Sequence, residues 1–151
     1  MTKRAVAALG LLLSIAPAAW AQRLALTVSP GNIQFASADP DTVPTITSAP
    51  VSIQLRVQQN QGEPWQLTVQ VNGDLVSGPS TIDASTVSWT ATPAPPFRNG
   101  TLNKTLAQVL ASGTGNALPN VNGTITFRLA NSWTYDAGTY TQTIVFTLSA
   151  P

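Results

Sequence analysis

Four stretches of this chain alternate apolar and polar residues, and this pattern constrains the fold more than any other feature. The positions between the apolar residues are mostly Ser, Thr, Gln or Arg, and the last stretch starts at Thr139. The apolar members are Val51, Ile53, Leu55 and Val57; Trp65, Leu67, Val69 and Val71; Ile125, Phe127 and Leu129; and Tyr140, Ile144, Phe146 and Leu148. Because successive side chains of a strand point to opposite faces, the alternation predicts strands with one face in a core and one in water.

Shorter stretches add to the predicted strands, and turn-forming residues separate them. The apolar members are Leu24, Leu26 and Val28; Ile33 and Phe35; and Val87 and Trp89. Runs rich in Gly, Asn, Ser, Asp and Pro predict turns at 72–74, 77–79, 112–115, 122–123 and 136–138. About seven short antiparallel strands, with no convincing long helix, predict an all-β chain that forms a single immunoglobulin-like β-sandwich.

Two segments leave alternatives open. Residues 102–110, which include Leu102, Leu106 and Leu110, fit either a short helix or an irregular strand. Residues 39–50 contain three prolines and form either a loop that crosses between sheets or a linker after an N-terminal arm. Within this segment, Asp39 and Asp41 are either calcium ligands, through carboxylate oxygens, or residues that set the turns of a loop.

The N-terminal residues have the pattern of a secretory signal peptide. Lys3 and Arg4 precede an apolar stretch from 5 to 16, and Ala19 and Ala21 supply the small residues of a cleavage site. The apolar stretch is much shorter than the roughly 20 residues that span a bilayer, and no second one follows. The sequence therefore predicts a signal peptide at 1–21 and a mature domain at 22–151 without an integral membrane segment. In that domain, 22–50 are a candidate N-terminal arm and linker.

Composition excludes several classes of function. The chain has no cysteine and no histidine, so the usual zinc, copper and haem ligands and the Ser–His and Cys–His nucleophile pairs are missing. Seven Lys and Arg residues, two of them in the signal peptide, accompany six scattered Asp and Glu residues. A nearly neutral mature chain is not expected to bind nucleic acid. We expect no catalytic residues, no metal and no cofactor.

Two aromatic residues are candidates for surface contacts. Trp133 and Tyr135 lie just before the predicted turn at 136–138. In an exported sandwich such a pair is able to stack on sugar rings. The alternative is that both residues cap the end of the core, with the indole N–H and phenol O–H paired at its edge.

Two motifs, at Trp65-x-Leu67 and in the final stretch that ends Phe146-Thr-Leu148-Ser-Ala-Pro, together resemble the WxL domain of bacterial surface proteins. That domain carries one Trp-x-Leu motif early and a second near its C-terminus, where this chain has Phe146 in place of Trp. The resemblance implies non-covalent attachment to the cell wall, through peptidoglycan, and co-assembly with other surface proteins. Since the two motifs lie on the inward faces of their strands, we expect these four residues to build the domain rather than contact the wall.

The C-terminal run from Gly138, Gly-Thr-Tyr-Thr followed by alternation, is also similar to the last strand of spore-coat-U-like and archaic chaperone–usher pilins. Subunits of that kind lack a final strand and accept the N-terminal arm of a neighbour. By this resemblance, Leu24, Leu26 and Val28 form a donor arm, although the cysteine pair common in these pilins is missing.

Taken together, these features predict a non-catalytic protein at the cell surface or in the periplasm. The first expectation is a WxL-like module whose partners are a cell-wall polymer and other surface proteins. A pilus-type or adhesin-type subunit that self-assembles by strand donation is the alternative, and a carbohydrate-binding module is the third.

Overall fold

The structure, a computed structural model, describes residues 23–150. Its strands are β1 (Arg23–Ser29), β2 (Thr45–Thr47), β3 (Val51–Gln58), β4 (Pro64–Val71), β5 (Leu75–Ser77), β6 (Ser80–Ile82), β7 (Val87–Thr92), β8 (Gly100–Thr101), β9 (Gln108–Thr114), β10 (Ala117–Ala130) and β11 (Ile144–Ser149). The described residues contain a single one-turn 3-10 helix, at Ala84–Thr86, and no α-helix. The predicted all-β fold is confirmed, with eleven strands among the described residues where about seven were expected. The immunoglobulin-like strand order stays a prediction.

The larger sheet, sheet A, is organised around the long strand β10. Its order is β1-β3-β10-β7-β8, with β2 also paired to β10, and every pairing is antiparallel. One edge of β10 pairs with β3 up to Ile125 and then with β2 from Arg128, while its other edge pairs with β7 from Thr124 to Leu129. Strands β2 and β3 therefore follow one another along the same edge.

Ser48 joins these two strands and is the buried polar residue of the core region. Its N–H donates to the carbonyl of Phe127 (2.9 Å), and its hydroxyl accepts from the N–H of Phe127 (3.1 Å). The hydroxyl thus accepts the N–H that a backbone carbonyl of a regular neighbouring strand would accept, in the short segment between β2 and β3. This pairing satisfies backbone groups that would otherwise be buried without a partner.

The second sheet, sheet B, has the order β11-β4-β9, and β5 and β6 form a separate hairpin. The faces of sheets A and B pack on one continuous core. Strands β3 and β4 show the predicted alternation, with each apolar residue of the two runs buried and most residues between them exposed. Trp89 and Phe127 form an aromatic contact within that core, with ring centroids 6.5 Å apart.

One side of the sandwich is closed and the other is open. On the closed side, the N–H of Arg98 donates to the carbonyl of Leu110 (2.7 Å) and Phe97 bridges to Ala111, which link sheet A to β9. On the open side, β1 and β11 are neighbours, but within residues 23–150 no backbone hydrogen bond joins them. A groove of about 360 Å³ runs between the end of β1 and the start of β11.

One predicted turn, at 122–123, lies inside β10, and the one predicted at 112–115 lies partly inside β9. Gly113 belongs to β9 and Gly123 to β10, whereas Gly115, with φ of 69°, lies at the turn between these strands. A Cβ on Gly113 would come within 3.0 Å of the ring of Trp65, and one on Gly123 within 3.0 Å of the ring of Phe97. Glycine is needed there because an aromatic ring approaches the backbone closely. In the sequence, a glycine required for this reason has the same appearance as a glycine that forms a turn.

Other differences concern the ends of elements. Residues 102–110 form a turn, in which the Asn103 side chain accepts from the N–H groups of Thr105 and Leu106, and then enter β9. The last strand starts at Ile144 rather than Thr139, because Thr141 pairs with Val76 of β5 instead. The brief strand expected at Ile33 and Phe35 is irregular chain, although both side chains pack on the core. Residues 39–50 contain β2.

The described residues include no helix long and apolar enough to cross a membrane. The predicted signal peptide at 1–21 lies outside the described residues.

Candidate functional site

A cleft of about 480 Å³ opens at one end of the sandwich, between residues 32–38 and the loop 131–141 that leads from β10 towards β11. Its floor is apolar and is formed by Ile46, Ile82 and Leu129. The volume falls within the range of small-molecule sites, roughly 300–1,000 Å³. The cleft therefore combines a core-derived floor with two walls of irregular chain.

Asn131 holds the two sides of the cleft together. Its N–H donates to the carbonyl of Pro44 (2.9 Å), and its side-chain amide donates to the carbonyls of Ala38 and Val43 (3.0 Å each). These three hydrogen bonds form a clamp. Since Asn131 directly follows β10 and Pro44 directly precedes β2, the clamp extends the β2–β10 pairing into the loops. The walls are thereby positioned by the end of sheet A.

Trp133 stands at the rim of this cleft, and its side chain is 67% exposed. The indole Nε1–H donates to Oδ1 of Asp41 (3.0 Å), and Asp39 Oδ1 accepts the N–H of Asp41 (2.9 Å). The ring is thus fixed at its N–H edge while most of its surface faces solvent. Trp133 does not cap the core, whereas Tyr135 is half-buried and packs against it.

The opposite end of the loop is fixed as well. The Tyr140 hydroxyl donates to the carbonyl of Asp136 (3.0 Å), and the Ser80 hydroxyl donates to the Asp136 carboxylate. Of the described residues that line the cleft, Asp136 alone carries a charge. Asn32 and Gln34, both exposed, line the other wall.

This arrangement suits a neutral, hydroxyl-rich ligand. A rigid indole offers a large flat contact area at low cost in conformational entropy, and amide groups both donate and accept hydrogen bonds. Among the described residues of the cleft there is no Lys or Arg to pair with an anionic polymer. The cleft therefore fits a neutral sugar ring better than a phosphorylated or strongly acidic chain.

The two carboxylates considered as calcium ligands hold the loop instead. Asp39 closes the turn at Asp41, and Asp41 holds the indole of Trp133. Within the described part of the chain, no group of three or more His, Cys, Asp or Glu residues could hold a metal ion.

The two Trp-x-Leu-like motifs lie side by side in sheet B. Leu67 of β4 is paired with Leu148 of β11, and Phe146 is paired with Val69. Trp65 and Leu67 are buried, whereas Phe146 and Leu148 are only half-buried because β11 is the edge strand. The motif positions thus face the inside of the sandwich, away from the cleft. The family resemblance itself stays a prediction.

The candidate donor arm forms β1, which pairs with β3 of its own chain. Leu24, Leu26 and Val28 lie opposite Val57, Leu55 and Ile53. Leu26 and Val28 are half-buried and Leu24 is 39% exposed. The arm therefore completes sheet A in this chain, with its apolar residues at the open side of the sandwich.

An ion-pair cluster connects the β5–β6 region to the turn before β9. Lys104 Nζ lies 2.7 Å from Asp74 Oδ2 and 3.8 Å from Asp83 Oδ2. Hydrogen bonds from the Lys104 side chain and then from the Ala84 N–H lower the pKa of Asp74, and the bond to Asp74 raises the pKa of Lys104. Hydrogen bonds from Ser85 lower the pKa of Asp83. None of these three charged residues lines the cleft, and the cluster fixes a loop.

Sequence reasoning singled out Trp133 and Tyr135 but not the rest of the cleft. Residues 32–38 have no sustained periodicity, and Asn131 carries no motif, so only the fold shows that they meet. The turn-forming residues at 136–138 and near Asp39 were the sequence feature that indicated loops in this part of the chain. No protein-family model, curated protein or solved structure matches the chain.

Proposed function

We propose that this chain is an exported, non-catalytic surface module that attaches non-covalently to a neutral polysaccharide of the cell envelope. The observation that carries the proposal is Trp133, whose exposed indole is held by Asp41 at the rim of the 480 Å³ cleft. An indole fixed in advance loses little freedom on binding, so a larger share of its contact energy appears as affinity. The apolar floor and the amides of Asn32 and Gln34 complete a site for a sugar ring.

Sparse charge supports a neutral ligand rather than an anionic one. With six acidic residues against five basic ones outside the predicted signal peptide, the protein has no general attraction for polyanions. Attachment to a glycan strand is also the role implied by the WxL-like motifs, and these build sheet B while the cleft lies at the end of sheet A. The motifs would then support the domain while a separate surface makes the contact.

The test is co-sedimentation of the purified mature chain, 22–151, with insoluble peptidoglycan, chitin and cellulose. Trp133→Ala should reduce the bound fraction at least about ten-fold, since aromatic anchors dominate such contacts. Trp133→Phe, which keeps a ring and loses the hydrogen bond to Asp41, should bind more weakly than the wild type and more tightly than Trp133→Ala. Leu106→Ala is the matched control, because Leu106 is 65% exposed and lies outside the cleft.

Two results would overturn the proposal. One is a wild-type chain that binds none of the three polymers at concentrations up to about 1 mM. A dissociation constant above this value would be too weak for a useful glycan contact. The other is binding that Trp133→Ala leaves unchanged, which would move the contact away from the cleft.

A further inference from the structure

Strand β11 forms a regular edge of sheet B. It pairs with β4 from Ile144 through Ser149 without a register shift, and within the described residues no strand is hydrogen-bonded to its other side, where β1 is a neighbour across the open groove. The opposite edge strand, β9, is linked to sheet A through Arg98 and Phe97. The free backbone groups of β11 are therefore the open hydrogen-bonding edge of this sheet.

This edge lacks the features by which sheet edges are usually protected. Natural edge strands carry charged residues, proline or bulges that prevent another strand from pairing. Residues 137–150 contain no charged side chain and no proline, and the pairing of β11 with β4 has no bulge. By contrast, β1 on the other side of the open groove begins with Arg23. The edge of β11 is open to a further strand.

The core is also incompletely covered at this edge. Ile144, Phe146 and Leu148 point to the interior but remain half-buried, and Leu24 across the groove is 39% exposed. Another strand beside β11 would cover these side chains while it satisfies the free backbone groups. Both gains favour occupation of the edge.

We propose that the occupant is β11 of a second copy, paired antiparallel about a two-fold axis at Phe146. In this register Ile144 lies opposite Leu148 of the partner subunit, so apolar residues meet on the inner face. On the outer face Val145 lies opposite Thr147 of the partner subunit. Strand β11 itself carries no charged residue that would be buried or opposed in this pairing, and the nearly neutral chain does not repel its copy. Such an isologous contact closes as a dimer with a continuous six-stranded sheet.

The register makes the proposal testable by a charge exchange on the outer face, where Val145 is 41% exposed and Thr147 is exposed. Sedimentation equilibrium of the mature chain should show a monomer–dimer equilibrium. The double variant Val145→Lys with Thr147→Lys places like charges opposite each other twice, and should weaken dimerisation at least ten-fold. Val145→Lys with Thr147→Glu places each ammonium opposite a carboxylate, and should restore the dimer.

Thr90→Lys, on the exposed face of β7 in sheet A, is the control and should leave the dimer unchanged. Thermal unfolding of each variant confirms that it is folded. A wild-type chain that stays monomeric to about 1 mM would overturn the proposal, as would a dimer that the two Lys substitutions do not weaken. Filaments in place of a closed dimer would also overturn it and would favour strand donation by β1. Glycan binding by the monomer is independent of each of these outcomes.

Discussion

The indole ring of Trp65 in β4 occupies the space that a Cβ on Gly113 of β9 would need, and the two residues are direct partners across the strands of sheet B. Trp89 lies against Gly100 in the same way, and Phe97 against Gly123. Three large rings of the core are thus each matched to a glycine in a neighbouring segment. The packing of this sandwich depends on both members of each pair.

Replacing Trp65 with Ala should destabilise the domain by about 3–5 kcal/mol, as large-to-small substitutions in packed cores do. The side chain is only 5% exposed, so the loss combines buried area with a cavity. Because domains of this size have free energies of unfolding of about 5–15 kcal/mol, urea unfolding should show a much lower midpoint or an unfolded protein. A fully stable variant that has lost only ligand binding would show that Trp65 is a contact residue.

Gly113→Ala should destabilise the protein by about 1–3 kcal/mol, because the added methyl group collides with the Trp65 ring and forces a shift of the core. Gly31→Ala provides the matched control, since a Cβ there meets nothing within 4 Å. Denaturation midpoints of the two variants measure the difference. Equal midpoints would mean that Trp65 moves aside freely.

Removal of residues 22–31 should lower the stability of the monomer, because β1 pairs with β3 along its whole length and covers part of the core. The comparison is between the melting temperatures and masses of the full mature chain and the truncated one. The strand-donation alternative predicts a different result. There the full chain forms ladders or fibres, and an added peptide of residues 22–31 rescues the truncated monomer.

Acid should weaken the contact between Lys104 and Asp74. The pKa of Asp74 is lowered in the folded state, so its stabilising contribution is present above its unfolded value, near 4, and is lost as the pH falls through the folded value. Lys104→Gln should therefore be slightly less stable than the wild type at pH 7, with the difference shrinking below about pH 4. Thermal unfolding across this range tests the effect, with Arg56→Gln as the control. A difference that grows in acid would contradict the assignment.

Export should remove residues 1–21, as the charged start, short apolar stretch and Ala-Trp-Ala site indicate. Mass spectrometry of the secreted or envelope fraction should find Gln22 as the new N-terminus. An intact Met1 in a cytoplasmic fraction would contradict the extracellular interpretation.

The strands most visible in the sequence are those with one wet face. The runs at Val51 and Trp65 alternate because each strand lies between core and solvent, and this alternation can be read without a structure. The predicted turn at 122–123 was wrong because Gly123 accommodates the ring of Phe97, a residue distant in sequence. Tertiary packing of this kind leaves no local signal.

The cleft was only partly predictable for a similar reason. Trp133 was recognisable as an aromatic residue next to a turn, but its exposure depends on Asp41, which lies 92 positions away. The clamp formed by Asn131 joins segments that have no periodicity. A site assembled from irregular segments becomes visible only when the fold brings them together.

The cleft lies at the end of the longest strand, and this has a mechanical consequence. Asn131 continues directly from β10, so if the proposed glycan contact is made, a force applied to the cleft along the axis of this strand reaches β10. The hydrogen bonds that join β10 to β3 and β7 lie across this axis. Under the proposed function, such a force would load these hydrogen bonds together in shear rather than open them one after another.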